Sequence, residues 1–197
     1  MNKRLKFLCR IIICLIGGMA CGSCKQKIYT RADLVDYVND PNNGLRQTKN
    51  AGGIQVGLLF QPWQVIMEHK TEAKGSPLSD TLKKRYYFIL RFSYHNKELL
   101  RQLPFDKYSE MVQVMSFRMT DYISIITDSG ESTAPLGCFL QQTYGMSNAN
   151  ELLVAFDKRK LEHAKKMKLL VKEFGLNLGD LAYTVNMNDI LETPSVD

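Results

Sequence analysis

The stretch YYFILRFSY, residues 86–94, alternates its side chains with a period of two. Phe88, Leu90, Phe92 and Tyr94 share one face, while Tyr87, Ile89, Arg91 and Ser93 share the other. That spacing suits a pleated strand and cannot give a helix a single apolar stripe. A chain built around it must supply further strands and a second layer over the apolar face.

Further strands are legible on both sides. Leu45 to Lys49 and Ile54 to Phe60 are strand-like and joined by NAGG, a hairpin signal. Tyr122 to Thr127 and the region from Pro135 to Tyr144 flank the turn DSGE at 128–131. LLVAF at 152–156 is a short buried run, and MKLLVKEF at 167–174 is separated from LAYTVNM at 181–187 by Gly175 and Gly179. Short strands at this spacing predict a mainly β chain, an immunoglobulin-like β-sandwich forming one domain over residues 30–197.

Helical signals are few. Thr30 can cap a short amino-terminal helix, with Asp33 at the capping-box position and Leu34, Tyr37 and Val38 on one face. NDPNNG at 39–44 ends it, because Pro41 cannot continue a helix. Small helical insertions are expected from Pro62–Trp63 to Glu68, from Lys97 to Leu103, and around Tyr108, Met111, Val112 and Met115, the last able to shift into a strand at Phe117. Residues 69–85 are polar and read as an exposed loop.

The amino end has a different character. Lys3, Arg4, Lys6 and Arg10 precede the apolar run Ile11 to Ile16, which passes through small residues to Ala20, the order of a secretory signal. The run is too short for a mature membrane span, which needs roughly 20 mainly apolar residues. GGMA followed by Cys21 resembles the lipobox of bacterial lipoproteins, in which the signal is cut before the cysteine and the thiol is acylated. Gly18 stands where Leu is usual, and Cys24 is a rival acceptor. Residues 1–20 are thus expected to be a signal peptide, and residues 21–29 a tether carrying lipid on Cys21 or, alternatively, Cys24. A redox C-x-x-C would need a strand before it and a helix after it within a fold, and a zinc site would need a second ligand pair. The other mature cysteine is Cys138, and His69, His95 and His163 are scattered. The cysteine count allows one disulfide, between Cys24 and Cys138, without requiring it.

The net charge of +6 lies largely in this leader. Removing the four basic residues before Cys21 leaves 22 against 20 acidic residues, and excluding Lys25 and Lys27 leaves 20 against 20. A neutral domain supplies no global field to steer nucleic acid.

YVNDPNNGLRQTKNAGGIQVGLLFQPWQVI, residues 37–66, with its D-P-x-N-G-L turn after the lipoprotein cysteine, resembles a family of Bacteroidota envelope lipoproteins of uncharacterised function. MTDYISIIT, QQTYGMSNANELLVAF and GDLAYTVNMNDI are similar to it as well. The resemblance implies an envelope lipoprotein and transfers no catalytic residue.

No motif carries clear chemistry. GESTA at 130–134 approaches a nucleophile elbow but ends in Ala134 and precedes Pro135 rather than a helix. Glu68-His69 and Glu162-His163 are adjacent pairs that cannot put two ligands on one helical face. The basic segment KRKLEHAKKMK, 158–168, could meet lipid headgroups, lipopolysaccharide phosphates or an acidic partner through Lys158, Arg159 and Lys160, although Glu162 and Glu173 partly offset it and a solvated face is favoured. Trp63, Tyr86, Tyr87 and Tyr94 could form a glycan platform, but Tyr and Phe alternating along a strand are more often core. The reading is a non-enzymatic binding or accessory subunit of an outer-membrane protein complex, without cofactor, metal or nucleic acid. It is held by lipid at the outer membrane with the periplasmic face favoured, and Trp63, Tyr86, Tyr87, Lys158, Arg159 and Lys160 are its contact residues. A glycan-binding surface lipoprotein and a hydrolase using scattered carboxylates and histidines are the alternatives.

Overall fold

The computed structural model describes residues 30–66 and 77–196. Cys21, Cys24, the signal segment and the tether lie outside the described residues.

Helix α1, Arg31–Asn39, begins with a reciprocal cap: Asp33 N donates to Thr30 Oγ1 at 3.2 Å, and Thr30 N donates to Asp33 Oδ2 at 3.1 Å. It buries Leu34 and Val38, and a 3₁₀ turn over Pro41–Asn43 leads to Gly44. Gly44 has φ +70°, and a Cβ there would collide with the Asp189 carboxylate. The N-G-L turn therefore needs glycine for its conformation and for its close approach to α6, Met187–Leu191.

Among the described residues ten strands form two antiparallel sheets. The first contains β1 (Arg46–Ala51), β2 (Ile54–Gln61), β3 (Arg85–Tyr94), β8 (Asn150–Asp157) and β7 (Gly137–Gln141) in that order, with β4 (Lys97–Glu98) paired on β3. The second runs β10 (Leu181–Asn186), β9 (Lys166–Val171), β5 (Ile123–Thr127), β6 (Ser132–Thr133). Val56 of β2, Phe88, Leu90 and Phe92 of β3, and Val154 and Phe156 of β8 are buried in one core with Ile125, Leu169, Val171 and Tyr183 of the second sheet. Tyr183 Oη crosses the interior to donate to Val56 O at 2.8 Å. The chain is mainly β, and its two sheets face each other as a sandwich. Its first three strands form a meander in one sheet, unlike the ABED and CFG sheets of immunoglobulin domains.

Several local expectations change. The NAGG hairpin turns at Gly52–Gly53, with Asn50 and Ala51 still paired in β1. The polar segment before β3 contains helix α3, Pro77–Lys83, with proline at the first helical position, where its missing N–H costs nothing. Lys97 to Leu103 is not a helix: His95 and Asn96 take φ values of 48° and 58° and fold β4 back onto β3, and a 3₁₀ turn follows over Leu100–Gln102. The strand after DSGE does not pair with β5. Two residues, Ser132 and Thr133, do so, and the chain then crosses sheets, with Leu136 N donating to Ala155 O at 2.7 Å and β7 pairing with β8. Phe117 stays helical: α4 (Phe105–Gln113), a π-helical turn (Val114–Arg118) and α5 (Met119–Tyr122) run on together.

Candidate functional site

Two concave regions bring together residues that could recognise a partner. One is a groove of about 610 Å³ between α4 and the strand end after β7. Pro104 sets the start of α4, which turns Met111 into the core and leaves Phe105, Tyr108 and Val112 along the groove. Leu140 and Tyr144 form the opposite wall. Phe105 is 85% exposed and Tyr144 79% exposed, so two aromatic rings stand in solvent at its rim.

The wall is built deliberately from buried polar groups. The Glu98 carboxylate, 5% exposed, accepts from Thr143 Oγ1 and from Gly145 N at 3.2 Å, while Asn150 Oδ1 accepts from Leu100 N at 2.8 Å. Between the two Glu98 contacts, Tyr144 is held at φ 52°, a conformation uncommon for a tyrosine. A buried carboxylate thus orders the loop that presents an exposed ring.

The second region is a cleft of about 470 Å³ at the end of the sandwich, lined by Phe60, Trp63, Tyr86, Ile190 and Leu191 with Lys83, Arg85 and Lys158. Trp63 opens the short helix α2, Trp63–Ile66. The Lys83 ammonium lies 5.2 Å from the centre of its ring, and the Lys158 ammonium lies 5.5 Å from that of Tyr86. The Arg31 guanidinium donates to Val65 O, so the chain enters the described domain beside this cleft.

The contact residues expected from sequence divide between sites. Trp63, Tyr86 and Lys158 meet in the end cleft. Tyr86 and Tyr87 are only 6% and 3% exposed, because β3 is a central strand covered on both faces, so they form no flat platform with Trp63. Burial raises the pKa of both hydroxyls; nearby Glu162 adds to the rise at Tyr86, and Arg85 opposes it at Tyr87. Arg159 and Lys160 turn into a separate polar recess with Ser129, Ser132 and His163. Arg159 is engaged there by Asp157, at 2.7 Å, and that hydrogen bond holds the Asp157 carboxyl at a pKa of about 2. Ser132 lies in a two-residue strand with no helix after it, and the His163 side chain is 92% exposed, an open setting for a catalytic base.

Among the described residues no group of three His, Cys, Asp or Glu side chains could hold a metal, and no helix is long and apolar enough to cross a membrane. Cys138 is half-buried, burial pushes its thiol pKa up to about 12, and its possible pairing with Cys24 lies outside the described residues.

No family model, curated protein or solved structure matches the chain.

The groove is not legible in the sequence. Its residues come from positions 98 to 150, and Phe105 and Tyr108 fit a core-facing helix as readily as an exposed rim. The one local signal was Phe105 directly after Pro104, which starts α4 with an aromatic in its unburied first turn.

Proposed function

We propose that the protein is a lipid-anchored envelope subunit that binds another protein through the groove between α4 and β7, as an accessory component of an outer-membrane complex. The groove carries this reading. Exposing two large rings beside an apolar channel costs solubility, and contiguous exposed apolar surface is characteristic of interaction sites. Aromatic side chains are enriched at protein interfaces relative to the rest of the surface. The leader of residues 1–20, directly followed by Cys21, supports the anchored location.

The test is recovery of native complexes in mild detergent through a carboxyl-terminal tag, with mass spectrometry of the captured proteins and of the amino-terminal peptide. An acylated Cys21 and a reproducible partner set that is lost from Phe105→Ser, Tyr144→Ser protein, with melting unchanged because both rings are exposed, are expected. A partner set unaffected by the double substitution would remove the groove from the interaction.

A further inference from the structure

We propose that the end cleft seats the phosphate of an anionic phospholipid and so orients the anchored domain on the bilayer surface. The proposal rests on the anchored reading for its closeness to lipid: Cys21 is nine residues from Thr30, a reach of at most about 30 Å. Arg31, the residue after Thr30, donates to Val65 O of α2, the helix that carries Trp63, so the described domain begins beside the cleft.

Its chemistry matches an amphiphilic anion. Lys83, Arg85 and Lys158 line it, Lys83 within 3.5 Å of the exposed Asp80 carboxylate just outside the lining, and Trp63 and Leu191, the latter 64% exposed, stand beside them. Cations beside a tryptophan suit the headgroup boundary, where one side of the ring meets apolar chains and the other meets water. A second, independent feature lies at the floor. Tyr86 Oη is buried with no hydrogen-bond partner among the described residues, and the Lys158 ammonium lies 5.5 Å from the centre of the same ring. A phosphate held by Lys158 beside that ring would offer the hydroxyl an acceptor oxygen.

Trp63 is the sole tryptophan, so its emission reports this site alone. The full chain would be reconstituted into vesicles of phosphatidylcholine, with or without phosphatidylglycerol, containing brominated acyl chains as quenchers. Blue-shifted, quenched Trp63 emission is expected only with phosphatidylglycerol. The docking equilibrium should fall about fivefold for Lys83→Gln or Lys158→Gln. Tyr86→Phe should weaken it about tenfold while leaving melting unchanged or raised, since the substitution removes an unpaired buried hydroxyl. A purely packing role for Tyr86 would not move the vesicle signal. Equal emission in both vesicle types, or a signal indifferent to all three substitutions, overturns the proposal. Acylation and flotation with neutral vesicles are scored separately. Acylated protein that floats but shows no Trp63 response refutes docking alone, whereas unacylated protein that fails to float refutes the anchor.

Discussion

Glu173 shows how one side chain can organise a loop. Its two carboxylate oxygens accept five backbone N–H groups, from Gly175, Leu176, Asn177, Leu178 and Gly179, at 2.6 to 2.9 Å. Burial alone would raise its pKa, but the hydrogen bonds outweigh that and hold the carboxyl below its ordinary value of 4.5. A carboxyl depressed in the fold contributes stability that is present above its unfolded pKa and lost as pH falls through the folded value. Stability measured by urea unfolding should therefore decline on acidification below about pH 4.5. In Glu173→Gln that part of the decline should shrink, with a loss of about 1–3 kcal/mol at neutral pH. An identical acid limb in both proteins would remove Glu173 from the account. In the sequence the residue reads only as a partial offset to the basic segment, because five donors in one loop become visible only when the loop is folded.

At the scale of elements, the N-G-L turn joins the first helix to the last. Gly44 ends the 3₁₀ turn at positive φ while its Cα faces the Asp189 carboxylate of α6, and Asn186 Nδ2 donates to that same carboxylate at 3.0 Å. Gly44→Ala combines backbone strain with a steric conflict and should cost about 1–3 kcal/mol, read as a lower melting temperature. A neutral result would mean that α6 moves aside freely. The turn residues and the Thr30 cap are legible locally, since capping and positive φ involve neighbours in sequence. The partner of Gly44, far along the chain, is not. The same division explains the DSGE region, where the turn is evident but the change of sheet after Pro135 depends on β8 offering its edge.

At the scale of the molecule, β8 separates the two concave sites. Asn150 at its start lines the groove and Lys158 just past its end lines the cleft, and its eight residues span about 25 Å. A domain resting on its cleft would thus hold the groove away from the bilayer, available to a partner. Because both sheets share one core, thermal unfolding should be a single transition with equal calorimetric and van't Hoff enthalpies. Two resolved transitions would show that the sheets unfold separately.

The sequence by itself determined the longer strands, the alternation along β3, the capped first helix and the principal turns, because alternation and backbone preference act over a few residues. Tertiary structure alone decided which strands pair, that Tyr86 and Tyr87 are buried rather than displayed, and that Phe105 and Tyr144 share an exposed groove. Those outcomes depend on the pairing of β3 with β8 and on the crossover between sheets. Residues tens of positions apart become neighbours only after the whole apolar core has closed.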